Sequence, residues 1–504
     1  MAEKHILTRA DDGLHCLSLE TGAELWHFAE THGCTPAVDQ AQGFIYYQSY
    51  FKLYKLNAIN GAVLDFVTVT GSRFSVWGNT ILVNDGYGYF IVCHYWDNIA
   101  YGGAIKVYDA DLNLVWEVNG LNTDHKNVIA YADGFVYTGT GDAYDYQQNY
   151  DWYIGHAEDC RVIAYDVTDG SVEWTYEVDA EAMYQANSRA ITQVVYCNGH
   201  IIAETDGGGD DPLQNYEIYI LDAATGALEK KYDTLGKKVG SCGQPALSYG
   251  RWITAAVVDI TTALVVQLGT GTKTEWSPFG TTQLNNQQAP DAALSALDET
   301  ITLVSELPDT GTQGVVVHDG ITYIVRSGAN DAVVAFDIET LALVRTYLTN
   351  GAWDSTPMVV SNLAEEDVLL VHEAANSSVA CFDVATGDLL WRSTGLVGTG
   401  FFGFAYYESE ILSLTNGLSS VGYLKALNDN FAILNGLVAG AASITIITDE
   451  LVGQDLLDAI NTNIANLNAE IDPPISWIDI VIGETGLSAN TKLNAFNIAF
   501  KLAV

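Results

Sequence analysis

Two aromatic stretches hold the residues best suited to bind a ligand. Tyr87, Tyr89, Tyr95, Trp96 and Tyr101 lie in DGYGYFIVCHYWDNIAYGG, and Tyr144, Tyr146, Tyr150, Trp152 and Tyr153 in GDAYDYQQNYDWYIGHAEDC. Flat apolar rings with polar tips, set among Asp and Asn, are what sugar recognition uses: C–H stacking on the face and hydrogen bonds to hydroxyls. The competing reading is that the two stretches pack on each other as loops.

Metal chemistry has weaker candidates. Asp206, Asp210 and Asp211 in DGGGDDP could wrap a hard cation such as Ca2+ through carboxylates and carbonyls, but the twelve-residue spacing of an EF-hand is missing, and a solvated turn competes. Asp142, Asp145 and Asp151 pose the same choice. The ten histidines show neither HxxxH nor HExxH spacing, so each reads as a strand or loop residue and not as a ligand. No GxSxG, Walker A or helix-opening GxGxxG is present, and no catalytic residue is assigned. The seven cysteines form no CxxC, and their odd number and strand positions read as small buried hydrophobes of a reducing compartment.

Composition narrows the function classes. The 504 residues carry 63 acidic and 21 basic side chains, a net charge of −42, so a nucleic acid of like sign would be repelled. A hydrophobic content of 48% supports a full core, and no apolar run reaches the length of a membrane span. No basic segment followed by an apolar run succeeds Met1, so no signal peptide is expected.

The elements that must position these residues repeat. ACFDVATGDLLW, residues 380–391, reads as a strand, a tight turn at Asp383–Gly387 and a second strand ending in Trp391. The same pattern recurs at Ser18/Gly22/Trp26, Asn57/Gly61, Asp109/Trp116, Asp166/Gly170/Trp174, Asp222/Gly226 and Asp337/Leu341, with a degraded copy at Asp259/Thr262. The eight anchors lie 37 to 78 residues apart, the period of a β-propeller. Asp-x-x-Thr-Gly-x-x-x-Trp resembles the quinoprotein-type (PQQ-like) propeller repeat over about residues 1–420. In that repeat the anchor bonds turn amides, the glycine takes a left-handed conformation, and the tryptophan covers the joint between blades. The resemblance also implies PQQ on a calcium ion, an Asp base, a stacking Trp and often a vicinal Cys pair. This chain has no vicinal Cys pair.

After Gly422 the composition changes. YLKALNDNFAILNGLV has helical spacing, and Leu456, Ile460, Ile464, Leu467 and Ile471 form an apolar stripe of about two heptads. The stripe either packs within the chain or drives self-association. TGLSANTKLNAFNIAF and LKALNDNFAIL resemble segments of bacteriophage tail-fibre and other virion appendage proteins. That resemblance implies an attachment or trimerisation role, carried over to Thr491, Lys492, Asn494 and Phe496.

The expected fold is therefore an all-β propeller of seven or eight blades (1–422) followed by a small C-terminal α/β region (423–504). The first functional expectation is a non-enzymatic virion structural or appendage protein, made in a host cytoplasm. It would be a homo-oligomer, trimeric by the fibre resemblance, contacting other virion proteins or a host-surface glycan or protein. It needs no cofactor, with Ca2+ admitted. The alternatives are a quinoprotein-like dehydrogenase and a scaffold propeller for protein assembly.

Overall fold

The computed structural model describes residues 3–31, 33–40, 42–49, 51–68, 73–74, 80–97, 102–121, 129–140, 160–178, 191–205, 217–233, 245–255, 262–274, 288–308, 314–326, 332–351, 356–373, 377–397, 403–409, 431, 435, 443–444 and 453–470. The chain divides into two compact units, one of Met1–Lys4, Gln40–Gly43 and Glu408–Val504, the other of His5–Asp39 and Phe44–Tyr407.

The larger unit is an eight-bladed β-propeller of antiparallel blades. Blade 1 runs Ala405–Ser409, Glu3–Ala10, Gly13–Ser18, Glu24–Phe28; blade 2 runs Ala37–Asp39, Phe44–Gln48, Lys52–Asn57, Val63–Thr68. Blade 3 has Thr80–Asp85 and Arg73–Phe74 both on Gly88–Asp97, then Gly102–Tyr108 and Leu114–Leu121. Blade 4 is Ala130–Ala132, Phe135–Gly139, Arg161–Asp166, Val172–Glu177; blade 5 is Ile191–Cys197, His200–Thr205, Glu217–Asp222, Leu228–Asp233. Blade 6 is Ala246–Ser248, Arg251–Ala255, Thr262–Thr270, Ala296–Pro308; blade 7 is Val315–His318, Ile321–Arg326, Ala332–Asp337, Leu343–Leu348. Blade 8 is Met358–Ser361, Asp367–Glu373, Ser378–Asp383, Leu389–Arg392. The strand Ala405–Ser409 joins the amino-terminal strands in one sheet, which closes the ring and covers the edge of Glu3–Ala10.

Burial explains the sequence pattern. The second and third strands of a blade lie between neighbouring blades, so both faces are covered; HCLS at the end of Gly13–Ser18 and VIAY within Arg161–Asp166 are buried throughout. Fourth strands alternate instead, as in VEWTYE at Val172–Glu177, because one face meets solvent. The core is accordingly a series of clusters between blades. Trp174, Tyr137 and Val162 of blade 4 pack with Ile191, Tyr196 and Tyr219 of blade 5.

The repeated hairpin connects the third and fourth strands. In seven blades a register shift falls just before the anchor, as between Cys16 and Leu17, Ala164 and Tyr165, and Cys381 and Phe382. This bulge bends the strand into the turn. The anchor carboxylate then accepts turn amides: Asp166 Oδ1 from Thr168 N at 2.7 Å, Asp222 Oδ1 from Thr225 N at 2.8 Å, Asp337 Oδ1 from Thr340 N at 2.6 Å. The Thr225 hydroxyl holds the Asp222 carboxyl below its ordinary range, and the Thr340 amide does so for Asp337.

Each hairpin is also gripped by the preceding blade. The indole N–H donates to the carbonyl one residue past the next anchor: Trp26 to Ala58 at 3.2 Å, Trp116 to Val167 at 2.7 Å, Trp174 to Ala223 at 2.9 Å and Trp391 to Leu19 at 2.8 Å. Each ring lies on the turn glycine, so a Cβ on Gly226 would stand 2.5 Å from Trp174 and one on Gly22 2.3 Å from Trp391. The remaining joints use cations. Lys55 Nζ donates to Ala110 O at 3.1 Å, Lys230 Nζ to Glu299 O at 2.7 Å, Arg251 to the carbonyls of Ile338 and Glu339, and Arg345 to those of Ala385 and Thr386.

Two expectations need correcting. The stretch 85–103 is not an insert: it comprises the turn into Gly88–Asp97 and the start of Gly102–Tyr108, both strands of blade 3. Its aromatics alternate on a strand, which local composition cannot separate from a loop. Of the supposed anchor at Asp259/Thr262, Asp259 lies outside the described residues, and Thr262 opens the third strand of blade 6 where a third-to-fourth turn was expected. The third-to-fourth connection of that blade is instead a long excursion, from which Gln288–Ala289 pairs in parallel with Tyr196–Cys197 of blade 5.

In the smaller unit, a helix spans Gly453–Asn468. Ile460, Ile464 and Leu467 are fully buried within the single chain, as is Asn463. Three of the five stripe positions are thus buried within one copy. Leu456 lies in the helix, while Ile471, ISWIDIVI and all of ASITIITDE but Ser443 and Ile444, which are not in a strand, lie outside the described residues.

Candidate functional site

The first aromatic stretch contributes to blade joints. Tyr89 Oη donates to Asp39 Oδ2 at 2.8 Å and stands 2.8 Å from Tyr46 Oη, linking blade 3 to blade 2. The same device recurs one blade on, where Tyr131 Oη donates to Asp85 Oδ2 at 2.5 Å, and again where Tyr196 Oη donates to Asp133 Oδ2 at 2.7 Å. Burial, with the nearby Asp133 carboxylate adding to it, pushes the Tyr196 phenol up to about 12, and burial raises Tyr89 and Tyr131 further. These phenols stay protonated donors.

Tyr87 is 55% exposed, and its ring lies over Gly134 in the first turn of blade 4. Tyr95 and Trp96 sit in the strand Gly88–Asp97, paired with Phe74 and Arg73 on one side and Ala104 and Gly103 on the other. Tyr101, Tyr144, Tyr146, Tyr150, Trp152 and Tyr153 lie outside the described residues, as do Asp206, Asp210, Asp211, Lys492, Asn494 and Phe496.

The exposed large hydrophobics of the propeller are mostly aliphatic, and most sit on the fourth strands. Val63, Leu114, Val172, Leu228, Leu343 and Leu389 all occupy the second position after the turn residue and are 42–60% exposed. Blade 7 adds Val344 at 51% and Leu348 at 73%. Blade 1 departs from this rule, with Glu24 at the equivalent position.

Quinone chemistry needs a stacking tryptophan and, often, a vicinal cysteine pair. Trp26, Trp116, Trp174 and Trp391 are engaged in the joints described above, and the fully buried Trp252 donates to Glu204 Oε2 at 2.8 Å. Cys16, Cys34, Cys93, Cys160, Cys197 and Cys381 are buried thiols that form no disulfide, and burial pushes those of Cys197 and Cys381 up to about 12. These tryptophans and cysteines are thus committed to blade joints and core packing.

The fold and its repeat have a counterpart among protein families. The family described as outer membrane protein assembly factor BamB matches residues 10–289, more than half of the chain. The chain belongs to that family. BamB-type propellers and related folds also appear among solved structures. Apo AztD from Citrobacter koseri is similar with a TM-score of 0.50 at 8% identity, covering 81% of this chain and 98% of that one. A europium-containing methanol dehydrogenase has a TM-score of 0.44 at 13% identity, covering 72% of this chain and 79% of that one. BamB from Moraxella catarrhalis has a TM-score of 0.33 at 12% identity, covering 78% of this chain and 85% of that one. At such identity the likeness to AztD shows the fold alone. No curated protein matches the sequence.

Proposed function

We propose that this BamB-family chain is a non-enzymatic scaffold that presents its propeller rim to protein partners. The observation that carries the proposal is the recurrence of exposed aliphatic residues at one position of the fourth strands, densest in blade 7 at Leu343, Val344 and Leu348. A fourth strand is the free edge of its blade, so its backbone can pair while its aliphatics supply apolar area. The family description, an assembly factor, points the same way. The net charge of −42 favours a basic partner and disfavours nucleic acid.

A narrower version makes the chain a virion appendage protein whose residues 423–504 attach it to the particle. It rests on the fibre-like segments at 485–500 and 424–434. Because Ile460, Ile464 and Leu467 are buried within one chain, attachment or trimerisation would use other residues of that region, among them Lys492, Asn494 and Phe496.

Photo-cross-linkers at Val344 and Leu348, with one at Thr340 in the exposed turn as a control, test the scaffold reading. A defined partner should be captured at 344 and 348, and the Leu343→Lys/Leu348→Lys variant should lose it. Equal capture at all three positions, or robust dye reduction with alcohols after reconstitution with PQQ and calcium, would overturn the proposal. Deleting 423–504 and scoring incorporation into particles tests the narrower version; unimpaired incorporation would remove its support.

A further inference from the structure

Blade 1 breaks the repeat at four positions that converge on one point. Its second and third strands in sequence, Gly13–Ser18 and Glu24–Phe28, place His15 directly opposite His27. The equivalent cross-strand pairs are Tyr54 and Phe66 in blade 2, Lys106 and Glu117 in blade 3, and Tyr219 and Lys231 in blade 5. Only blade 1 carries two imidazoles there. Asp12, in the turn before Gly13, overhangs the pair. Gly13 allows this approach: with φ +145° it takes a conformation that L residues rarely adopt, and a Cβ there would stand 2.1 Å from Phe28 O and 3.0 Å from His27 Nε2. Glu24 replaces the exposed aliphatic of the other blades and reaches back under His15.

The contacts are short and directional. His15 Nε2 lies 2.9 Å from Asp12 Oδ1, and His15 Nδ1 lies 2.7 Å from Glu24 Oε2. His27 Nε2 lies 3.8 Å from Asp12 Oδ2 and 3.1 Å from Asp12 O. The imidazole of His15 is 1% exposed, while Asp12 and His27 are each 28% exposed. One ligand atom from each of Asp12, His15 and His27 falls within 4.8 Å of the others.

A neutral imidazole donates through one nitrogen only. His15 nevertheless faces a carboxylate oxygen with each nitrogen while buried. If Nδ1–H donates to Glu24, the Nε2 lone pair meets the Asp12 oxygen, an acceptor facing an acceptor. A second proton or a cation between them resolves that conflict.

We propose that Asp12, His15 and His27 bind a divalent first-row transition ion of the Zn2+ class. His15 Nε2, His27 Nε2 and an Asp12 carboxylate oxygen would be the protein ligands, with water completing the coordination. Glu24 holds Nδ1–H of His15, the arrangement that fixes a metal-binding imidazole's tautomer and raises its basicity. Two nitrogen donors and one carboxylate select Zn2+, Co2+ or Ni2+ over Ca2+ and Mg2+, which take oxygen ligands. In a tetrahedral site with bonds near 2.0–2.1 Å, donors stand roughly 3.3 Å apart, close to the spacings around Asp12. The two rings are stacked at 4.1 Å with only 6° between their planes, so ion binding requires a tilt of one ring. His27, the exposed partner, is the one free to tilt.

The experiment uses the full chain stripped by a chelator. Co2+ is titrated in while d–d absorption is recorded, and Zn2+ is then used to displace it. The expected result is one tight equivalent with a low-coordinate Co2+ spectrum. His27→Ala and Asp12→Ala, both at exposed positions, should abolish the spectrum. Glu24→Gln should weaken binding about 10- to 100-fold, the usual effect of losing an outer-shell partner. His200→Ala removes a single-imidazole pair with Glu229 in blade 5 and should change nothing. Circular dichroism confirms that each variant is folded. No d–d spectrum in the wild type, or an unchanged one in folded His27→Ala, would overturn the proposal and leave the cluster as a hydrogen-bonded strand pair.

Discussion

The propeller grips the hairpin of the next blade in two ways, and the contrast lies in what each way demands of that hairpin. At four joints a tryptophan donates to the carbonyl one residue past the anchor and lies flat on the turn. There the turn residue is always glycine: Gly61, Gly170, Gly226 and Gly22. Where Lys55 and Arg251 grip the hairpin instead, the turn residue is Leu112 or Leu341, at φ 59° and 60°. A left-handed leucine costs roughly 1–2 kcal/mol, yet these joints accept it because the flexible end of a cationic side chain can give way to a Cβ. A tryptophan cannot. Gly387 under Arg345 shows that glycine is permitted with either grip but required with one.

The closing joint between blades 8 and 1 offers the largest effect. Beside the Trp391 grip, Thr8 Oγ1 of blade 1 lies 2.5 Å from His372 Nε2 of blade 8, and the His372 ring is stacked on Phe404 at 4.2 Å. Burial pushes the His372 imidazole down from 6.5 to about 3. The unfolded chain takes up a proton below pH 6.5 that the folded chain refuses. This contribution is therefore complete above pH 6.5 and lost as the pH falls towards 3, on the order of 5 kcal/mol. Denaturation of wild type and His372→Gln between pH 7 and 4 should show the difference in stability shrinking on acidification. A difference independent of pH would mean that this histidine does not report on closure.

Next come the two grips themselves. Trp174→Ala should lose about 3–5 kcal/mol, the range for deleting a buried aromatic. Arg345→Ala, which removes partly solvated hydrogen bonds to the Ala385 and Thr386 carbonyls, should lose about 1–2 kcal/mol. Equal losses in urea titrations would erase the distinction.

Two substitutions at the turn residue sharpen the rule, the second with the smallest effect of all. Gly226→Leu places into a tryptophan joint what blade 7 tolerates, and should cost about 2–4 kcal/mol from left-handed strain and overpacking together. Leu341→Gly should change stability by less than about 1 kcal/mol. If both substitutions moved the midpoint alike, glycine at Gly226 would be needed only for its backbone and not to make space.

Much of the propeller was legible because its repeat is local. The anchor, the turn residue and the exit tryptophan lie within nine residues of each other, and the anchor caps amides two or three residues ahead. Such chemistry shows in any copy. The cationic joints were not legible, since nothing near Lys55, Lys230 or Arg251 marks them as partners of the next blade. The joint made by Tyr89 was not legible for the related reason that its partner Asp39 is supplied by a different blade. The helical stripe was visible as periodicity, but whether a second copy or the same chain covers Ile460, Ile464 and Leu467 is a question of burial, which periodicity leaves open.

The sequence by itself determined an all-β repeat protein with a distinct carboxy-terminal region, because strand alternation and turn chemistry depend on neighbours along the chain. Only the tertiary structure decided the blade count of eight, the rank of the degraded Asp259 copy and the strand that closes the ring, because these depend on which strands pair. It also decided the one convergence of metal-binding groups among the described residues. Asp12, His15 and His27 share no recognisable spacing, and only the register of two antiparallel strands, with a glycine turn folded over them, sets two imidazoles and a carboxylate within reach of a single ion.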